Sequence, residues 1–284
     1  MKKIDTLVED IYEKINILSE GKDLNLTEEE LSLFGSQMSE ALKHWASPNL
    51  QSRNTVRMSN LGRPLRKLWY ELKDDSIQEE ISPSLQIKFL YGHLLEVLLL
   101  FFVRLSGHTV TDEQKEVDVS GIKGHMDCKI DGEVVDIKTA SGYSFKKFKD
   151  GTLPEKDSFG YLTQLAGYEE NEKTSEGGFL VMNKETGEIT TFIPDDLSKP
   201  NIKQKIATVK RAIKKDTPPD KCFDSVPEGA SGNMKLSMDC SYCPYKFKCH
   251  SDANDGRGLR VFKYAKGNVY FTKIVSEPKV EEIL

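Results

Sequence analysis

Residues 84–105, SLQIKFLYGHLLEVLLLFFVRL, constrain the fold of this 284-residue chain more than any other segment. The run is apolar nearly all round a helix, which predicts a helix deep in a hydrophobic core. Glu96 is its odd residue out. The strongest apolar stretch, Leu94 to Val103, is too short to span a bilayer, so no membrane partner is expected. After Gly107 the pattern changes from helical spacing to strict alternation. HTVTDEQKEVDV, GIKGHMDCKI and, past the turn Asp131-Gly132, EVVDIKTA predict three consecutive strands in a meander.

Elsewhere the first 46 residues predict two polar helices, the second capped by Thr27 with Glu30 three residues on. A polar connector, SPNLQSRNTVRMS, leads to LGRPLRKLWYELKDD, a short helix with Arg63, Arg66 and Lys67 on a basic face. Helical patterns resume over 143–150 and 158–172. GGFLVMNK and EITTFIP predict a hairpin, and LSKPNIKQKIATVKRAIKK a basic helix. LRVFKYAKGNVYFTKIV predicts a closing hairpin that turns at Lys266-Gly267-Asn268. The expected class is α+β, or mixed α/β, with a central mixed sheet flanked by helices. Three regions are expected: helical 1–56, a core over 57–220, and a cysteine-bearing segment with the hairpin over 221–284.

Forty Lys and Arg against 45 Asp and Glu give a net charge of −5. That excludes a polybasic coat for nucleic acid while leaving room for a local basic groove. The start, MKKIDTLVEDIYEKI, lacks an apolar export core, so a reducing cytoplasm is expected. There, four of five cysteines between 222 and 249 point to metal rather than disulfides.

The chemistry concentrates in Gly124-His-Met-Asp127 and Glu133-Val-Val-Asp136-Ile-Lys138. Strand alternation puts Asp136 and Lys138 on one sheet face, and hairpin pairing brings Asp127 beside Asp136. Adjacent carboxylates are unfavourable unless a cation lies between them, and oxygen ligands suit Mg²⁺ or Mn²⁺. Lys138 adds positive charge where a phosphate or attacking water would sit, and Glu96 offers a third carboxylate. A solvated salt-bridge cluster would use the same residues without chemistry, but it leaves Glu96 and Gln164 unexplained.

Gly92-x-x-x-Glu96, Gly124-x-x-Asp127, Asp136-x-Lys138 and Gln164-x-x-x-Tyr168 together resemble the motifs of the PD-(D/E)XK nuclease superfamily, in its RecB-like exonuclease branch. The resemblance covers residues 57–172 and implies a restriction-endonuclease-like core. It implies that Asp127 and Asp136 are ligands of Mg²⁺ or Mn²⁺, that Glu96 is a direct or water-mediated ligand, and that Lys138 is catalytic. Gln164 and Tyr168 are implied as supporting residues along the DNA-binding wall. Many RecB-like members carry His where this chain has Glu96.

Cys240-x-x-Cys243-Pro-x-x-x-x-Cys249 places three thiolates in ten residues, enough to begin a tetrahedral centre. The spacing resembles the C-terminal triplet of AddB-like nucleases and their CRISPR-associated relatives, which implies a [4Fe–4S] cluster. Their upstream fourth cysteine is missing here, where the chain reads Gly62-Arg63-Pro64, and Cys222 is the replacement. A cluster and a Zn²⁺ site both remain open, with His250 as a further zinc ligand. Either centre would clamp the C-terminal tail.

Lys146, Lys147 and Lys149, interleaved with Phe145 and Phe148, predict a nucleic-acid surface beside Lys138, with Arg66 and Lys67 as further phosphate contacts. Residues 240–273 carry seven Lys and Arg against two Asp, again among aromatic residues. Such surfaces suit single strands. The expected function is a metal-dependent deoxyribonuclease, an exonuclease on single-stranded or flapped DNA, working with replication, recombination or repair proteins. The alternatives are a non-catalytic nucleic-acid-binding module of a recombination complex and an endonuclease on the same fold.

Overall fold

The structure, a computed structural model, describes residues 2–47, 54–74 and 81–284. Its contacts divide the chain into two compact units, Met1–Gly62 with Glu80–Thr208, and Arg63–Glu79 with Val209–Leu284.

The first unit opens with α1 (Leu7–Asn16) and α2 (Glu28–Ala46). α2 starts where its capping box predicts: Thr27 Oγ1 accepts the Glu30 amide at 3.2 Å, and Glu30 Oε2 accepts the Thr27 amide at 2.7 Å. A helical turn, α3 (Met58–Leu61), begins in the stretch expected to be connector, of which residues 48–53 fall outside the described residues. After α4 (Leu65–Lys73) of the second unit, the chain returns as α5 (Pro83–Leu105), with Ser82 as N-cap and Pro83 in the first turn.

α5 is not uniformly buried as its composition predicts. Leu99, Leu100 and Val103 are buried, whereas Leu85, Ile87, Phe89 and Tyr91 are exposed. The reason is length. A 23-residue helix runs about 34 Å, beyond an 8-residue strand of about 26 Å. Its first half instead flanks α2, where the Trp45 indole donates to the Gln86 carbonyl at 3.0 Å. By length and composition alone α5 would also pass for a membrane span, but its last turns are built into the core.

The expected three-strand meander divides into five strands: β1 (Val110–Thr111), β2 (Glu116–Val119), β3 (Ile122–His125), β4 (Cys128–Ile130) and β5 (Glu133–Ala140). β2 and β3 form a separate hairpin. Two residues of the β1–β2 loop, Asp112 and Gln114, adopt left-handed backbone (φ 54° and 51°), which turns the chain out of the sheet. Asp131-Gly132 makes the predicted tight turn, with both residues at positive φ. α6 (Gly142–Lys149) and α7 (Tyr161–Glu172) then cross to β6 (Gly178–Asn183), parallel to β5, and β7 (Ile189–Phe192) returns antiparallel. The result is a mixed sheet ordered β1-β4-β5-β6-β7 with helices packed on it.

One face of the sheet buries Ile137, Leu180 and Met182 with Leu7 and Ile11 of α1 and the last turns of α5. Cys128 is buried there too, as a small core residue. On the other face, Phe148, Phe179 and Phe192 pack ring against ring with Tyr161 beside them. α8 (Ile202–Ile213) carries the chain out of this unit.

The second unit builds a four-stranded sheet ordered β10-β11-β9-β8 from β8 (Val226–Glu228), β9 (Asn233–Lys235), β10 (Arg260–Tyr264) and β11 (Gly267–Lys273). Two single turns, α9 (Met238–Ser241) and α10 (Lys246–Cys249), carry Cys240 and Cys249, with Cys243 between them. The closing hairpin forms, but Tyr264 pairs with Gly267, so the turn is Ala265-Lys266 and lies earlier than predicted. Phe262, Phe271 and Tyr245 are buried in this unit, while Tyr242 and Phe247 remain exposed.

Candidate active site

β5 presents Asp136 and Lys138 on the same face, and the Lys138 ammonium pairs with Asp136 Oδ2. Asp136 is 1% exposed, and its Oδ1 accepts no hydrogen bond among the described residues. A buried carboxylate oxygen without a donor is costly. Lys138 offsets the charge at one oxygen only, so the pair is incompletely satisfied.

Asp127 lies just ahead of β4. The pairing of Cys128 with Val135 sets it opposite Asp136, and Asp127 Oδ2 accepts the Ile137 amide at 2.7 Å. Burial, reinforced by the Asp136 charge, pushes the Asp127 carboxyl well above the usual carboxylate range. On α5, burial raises Glu96 to about 7, with Lys138 opposing the rise and Asp136 adding to it. Burial disfavours the Lys138 charge, yet Asp136 and Asp127 outweigh it and hold the ammonium protonated beyond the ordinary lysine range. Three carboxyl groups and one lysine therefore act on one another at one patch.

Gln164, half-buried, and Tyr168, buried, are brought to the same region as a brace. Gln164 Nε2 donates to the Tyr168 hydroxyl at 2.9 Å, and that hydroxyl donates to the His125 carbonyl at 2.7 Å. Tyr168 is buried, and burial together with Asp136 raises its phenol. Gly124 has a steric reason: a Cβ there would meet Met58 Cβ at 2.6 Å and the Tyr168 ring at 3.1 Å. A Cβ at Gly167 would sit 2.1 Å from Met58 Sδ. Met58 thus wedges between β3 and α7, a role marked in the sequence only by the two glycines. His93 meets the His44 ring edge-on at 5.4 Å, between α5 and α2.

The basic residues near Lys138 divide. Lys146 is exposed, Lys147 donates to the Lys156 carbonyl at 3.2 Å, and Lys149 is engaged by Glu188. Phe145 and Phe148 are buried, so they offer no stacking surface. Tyr143 and Phe159, which the charge pattern does not single out, are 75% and 58% exposed. Phe159 stacks on Tyr161 at 5.5 Å between centroids and 13° between planes, and the Tyr161 ring lies 5.2 Å from Lys138 Nζ. The phase of α6 carries the signal for Tyr143 alone, since residues 145 and 148 form its apolar stripe and Phe159 lies outside that helix.

Within the second unit, Arg66 donates to the carbonyls of Pro219 at 2.6 Å and Cys249 at 3.4 Å, and Lys67 stands 3.9 Å from Glu71. Both make contacts inside this unit. Tyr70 of α4 stacks on Tyr245 at 5.4 Å, next to Cys243 and Cys249. Cys222, Cys240, Cys243 and Cys249 are all free, and each lies within electrostatic reach of others in the group. Burial, with repulsion from the neighbouring sulfurs, raises Cys240, Cys243 and Cys249, so these thiols favour the protonated form without a cation. Among the described residues, no three His, Cys, Asp or Glu side chains close into a ready-made metal cage. His250 is buried, with Lys221, Asp252 and Arg66 as its charged neighbours.

Fold and patch define an α+β protein with carboxylates and a lysine gathered at its mixed sheet. No family model and no curated protein matches the chain. Among solved structures it is similar to SSO0001 at 20% identity, over 75% of this chain and 91% of that one, with a TM-score of 0.39. It is also similar to an alkaline exonuclease from Laribacter hongkongensis at 14% identity, over 57% and 89% of the two chains, with a TM-score of 0.41. A phage-related exonuclease from Haemophilus somnus 129PT is similar at 14% identity, over 56% and 93%, with a TM-score of 0.38.

Proposed function

We propose that the chain is a divalent-metal-dependent deoxyribonuclease, acting as an exonuclease on DNA with single-stranded ends in replication, recombination or repair. The observation that carries this reading is Asp136, buried with Oδ1 unsatisfied and with Asp127, Glu96 and Lys138 all within its electrostatic reach. Its donors are hard oxygens, which fit Mg²⁺ or Mn²⁺, and a cation there would relieve both the orphaned oxygen and the carboxylate repulsion. Asp136, Asp127 and Glu96 would hold the ion. When bound, it supplies Lewis acidity at the phosphoryl oxygen and a more acidic water.

Lys138, paired with Asp136, acts as a donor and a positive charge. Its ammonium orients the attacking water and offsets charge growing on the phosphoryl oxygens. Asp127, fixed by the Ile137 amide, keeps its position as charge moves. Gln164 and Tyr168 hold α7 against β3. The exposed Phe159, stacked on the ring beside Lys138, favours single-stranded ends because unpaired bases stack on aromatic faces.

The four cysteines of the second unit we assign to one metal centre, either [4Fe–4S] or Zn²⁺. Their mutual electrostatic influence supports this, since clustered thiols are stabilised by a soft cation. The function is tested by cleavage of 5′- and 3′-labelled single strands, duplexes and flaps with Mg²⁺ and with Mn²⁺. Shortening from a labelled end that stops with chelator is expected. Intact substrates under every condition would refute the reading.

A further inference from the structure

We propose that Gln114 is the positioning residue of the acidic patch, fixing Glu96 through its side chain and Asp127 through its backbone in register for one divalent cation. The inference rests on the nuclease reading above and adds to it a residue outside the four sequence motifs.

Gln114 sits in the loop between β1 and β2. Its Nε2 donates to Glu96 Oε1 at 2.8 Å, and its backbone N–H donates to the Asp127 carbonyl at 2.9 Å. One residue thereby ties α5 to the segment entering β4. Among the described residues it makes the one hydrogen bond to the Glu96 carboxylate. A neutral amide suits this position because it fixes Oε1 without placing a competing positive charge where a cation would bind. Outer partners of this kind orient metal-binding carboxylates.

The backbone carries the second observation. Gln114 has φ 51°, a left-handed conformation that glycine and asparagine adopt readily and glutamine does not. The residue is exposed, so burial does not dictate a long side chain there. Its neighbours hold the loop in that conformation. Glu113 is held by Arg104 and by Gln37 at 2.9 Å, while Lys115 reaches Glu172 at 3.0 Å and its carbonyl accepts the Met126 amide at 3.0 Å. The left-handed turn serves the fold, but glycine or asparagine would make it with less strain, so the glutamine is explained by its side-chain bond to Glu96.

The two roles separate by substitution. Gln114→Gly relieves the backbone and removes the amide. Gln114→Asn suits the backbone and leaves the amide one carbon short of Glu96. Mn²⁺ binding by calorimetry and thermal unfolding of the parent and both variants form the test. Both variants should melt at or above the parent temperature yet bind Mn²⁺ roughly 10- to 100-fold more weakly, the usual cost of losing an outer partner. Parental Mn²⁺ affinity in the Gly and Asn variants would overturn the inference, as would a loss of affinity that only follows a loss of stability. A parent that binds no Mn²⁺ removes the metal reading itself, and this inference with it.

Discussion

Asp127 stands one residue ahead of β4, outside the paired strand, yet its carboxylate takes the place of a backbone partner and accepts the Ile137 amide at 2.7 Å. That bond fixes the carboxylate against β5, opposite Asp136, without the freedom a loop residue would have. Burying two like charges side by side is costly, and among the described residues Asp136 Oδ1 receives no donor that would reduce the cost. The arrangement is strained as a fold element and sensible as a cation site.

Acid stability tests the contacts beneath this site. Burial opposes ionisation of Glu172, but hydrogen bonds from Lys129, Lys115 and Asn171 prevail and hold it at about 2, below its ordinary 4.5. A depressed carboxylate stabilises the fold above its unfolded pKa and loses that contribution as pH falls through the folded value. Unfolding followed between pH 5 and pH 2 should therefore show Glu172→Gln less stable than the parent at pH 5, by about 1 kcal/mol once solvent screening is allowed for, the difference fading towards pH 2. A difference that is flat with pH would remove the ion-pair account.

Much of this is legible in the sequence. The Asp131-Gly132 turn and the alternation of EVVDIKTA set which strand faces carry Asp136 and Lys138, and the register does the rest. Thr27 and Glu30 mark the start of α2. Hydrophobicity, however, reports how apolar α5 is, not how far the sheet extends beneath it, so it cannot show that Phe89 and Tyr91 are exposed. The departure of β2 and β3 depends on left-handed Asp112 and Gln114, which residue type does not announce. Met58, wedged against Gly124 and Gly167, reads as connector in the sequence because its role is tertiary.

Phe159 tests the substrate. Base stacking on an exposed ring contributes about 1–3 kcal/mol per base. Phe159→Ala should weaken binding to single-stranded oligonucleotides accordingly, measured by fluorescence anisotropy in metal-free buffer, and leave blunt duplex binding nearly unchanged. Equal losses on both substrates would place the ring outside the single-strand path.

For the cysteine centre, elemental analysis of anaerobically purified protein should give one centre per chain. A brown protein with broad visible absorbance means iron–sulfur, and a colourless one with an equivalent of zinc means Zn²⁺. Cys243→Ser should lower the thermal midpoint, because binding a structural metal contributes to folding. All five thiols titrating free, with neither metal present, would end this assignment.

The central claim is most directly tested at Lys138. An end-labelled single strand is incubated with parent or Lys138→Ala protein, with Mg²⁺ or Mn²⁺, while binding is followed in parallel. The parent should shorten the strand, and Lys138→Ala should bind it with near-parental affinity yet cut at least about 100-fold more slowly, as expected when a charge aimed at the transition state is lost. Cleavage by Lys138→Ala at the parental rate would contradict the account.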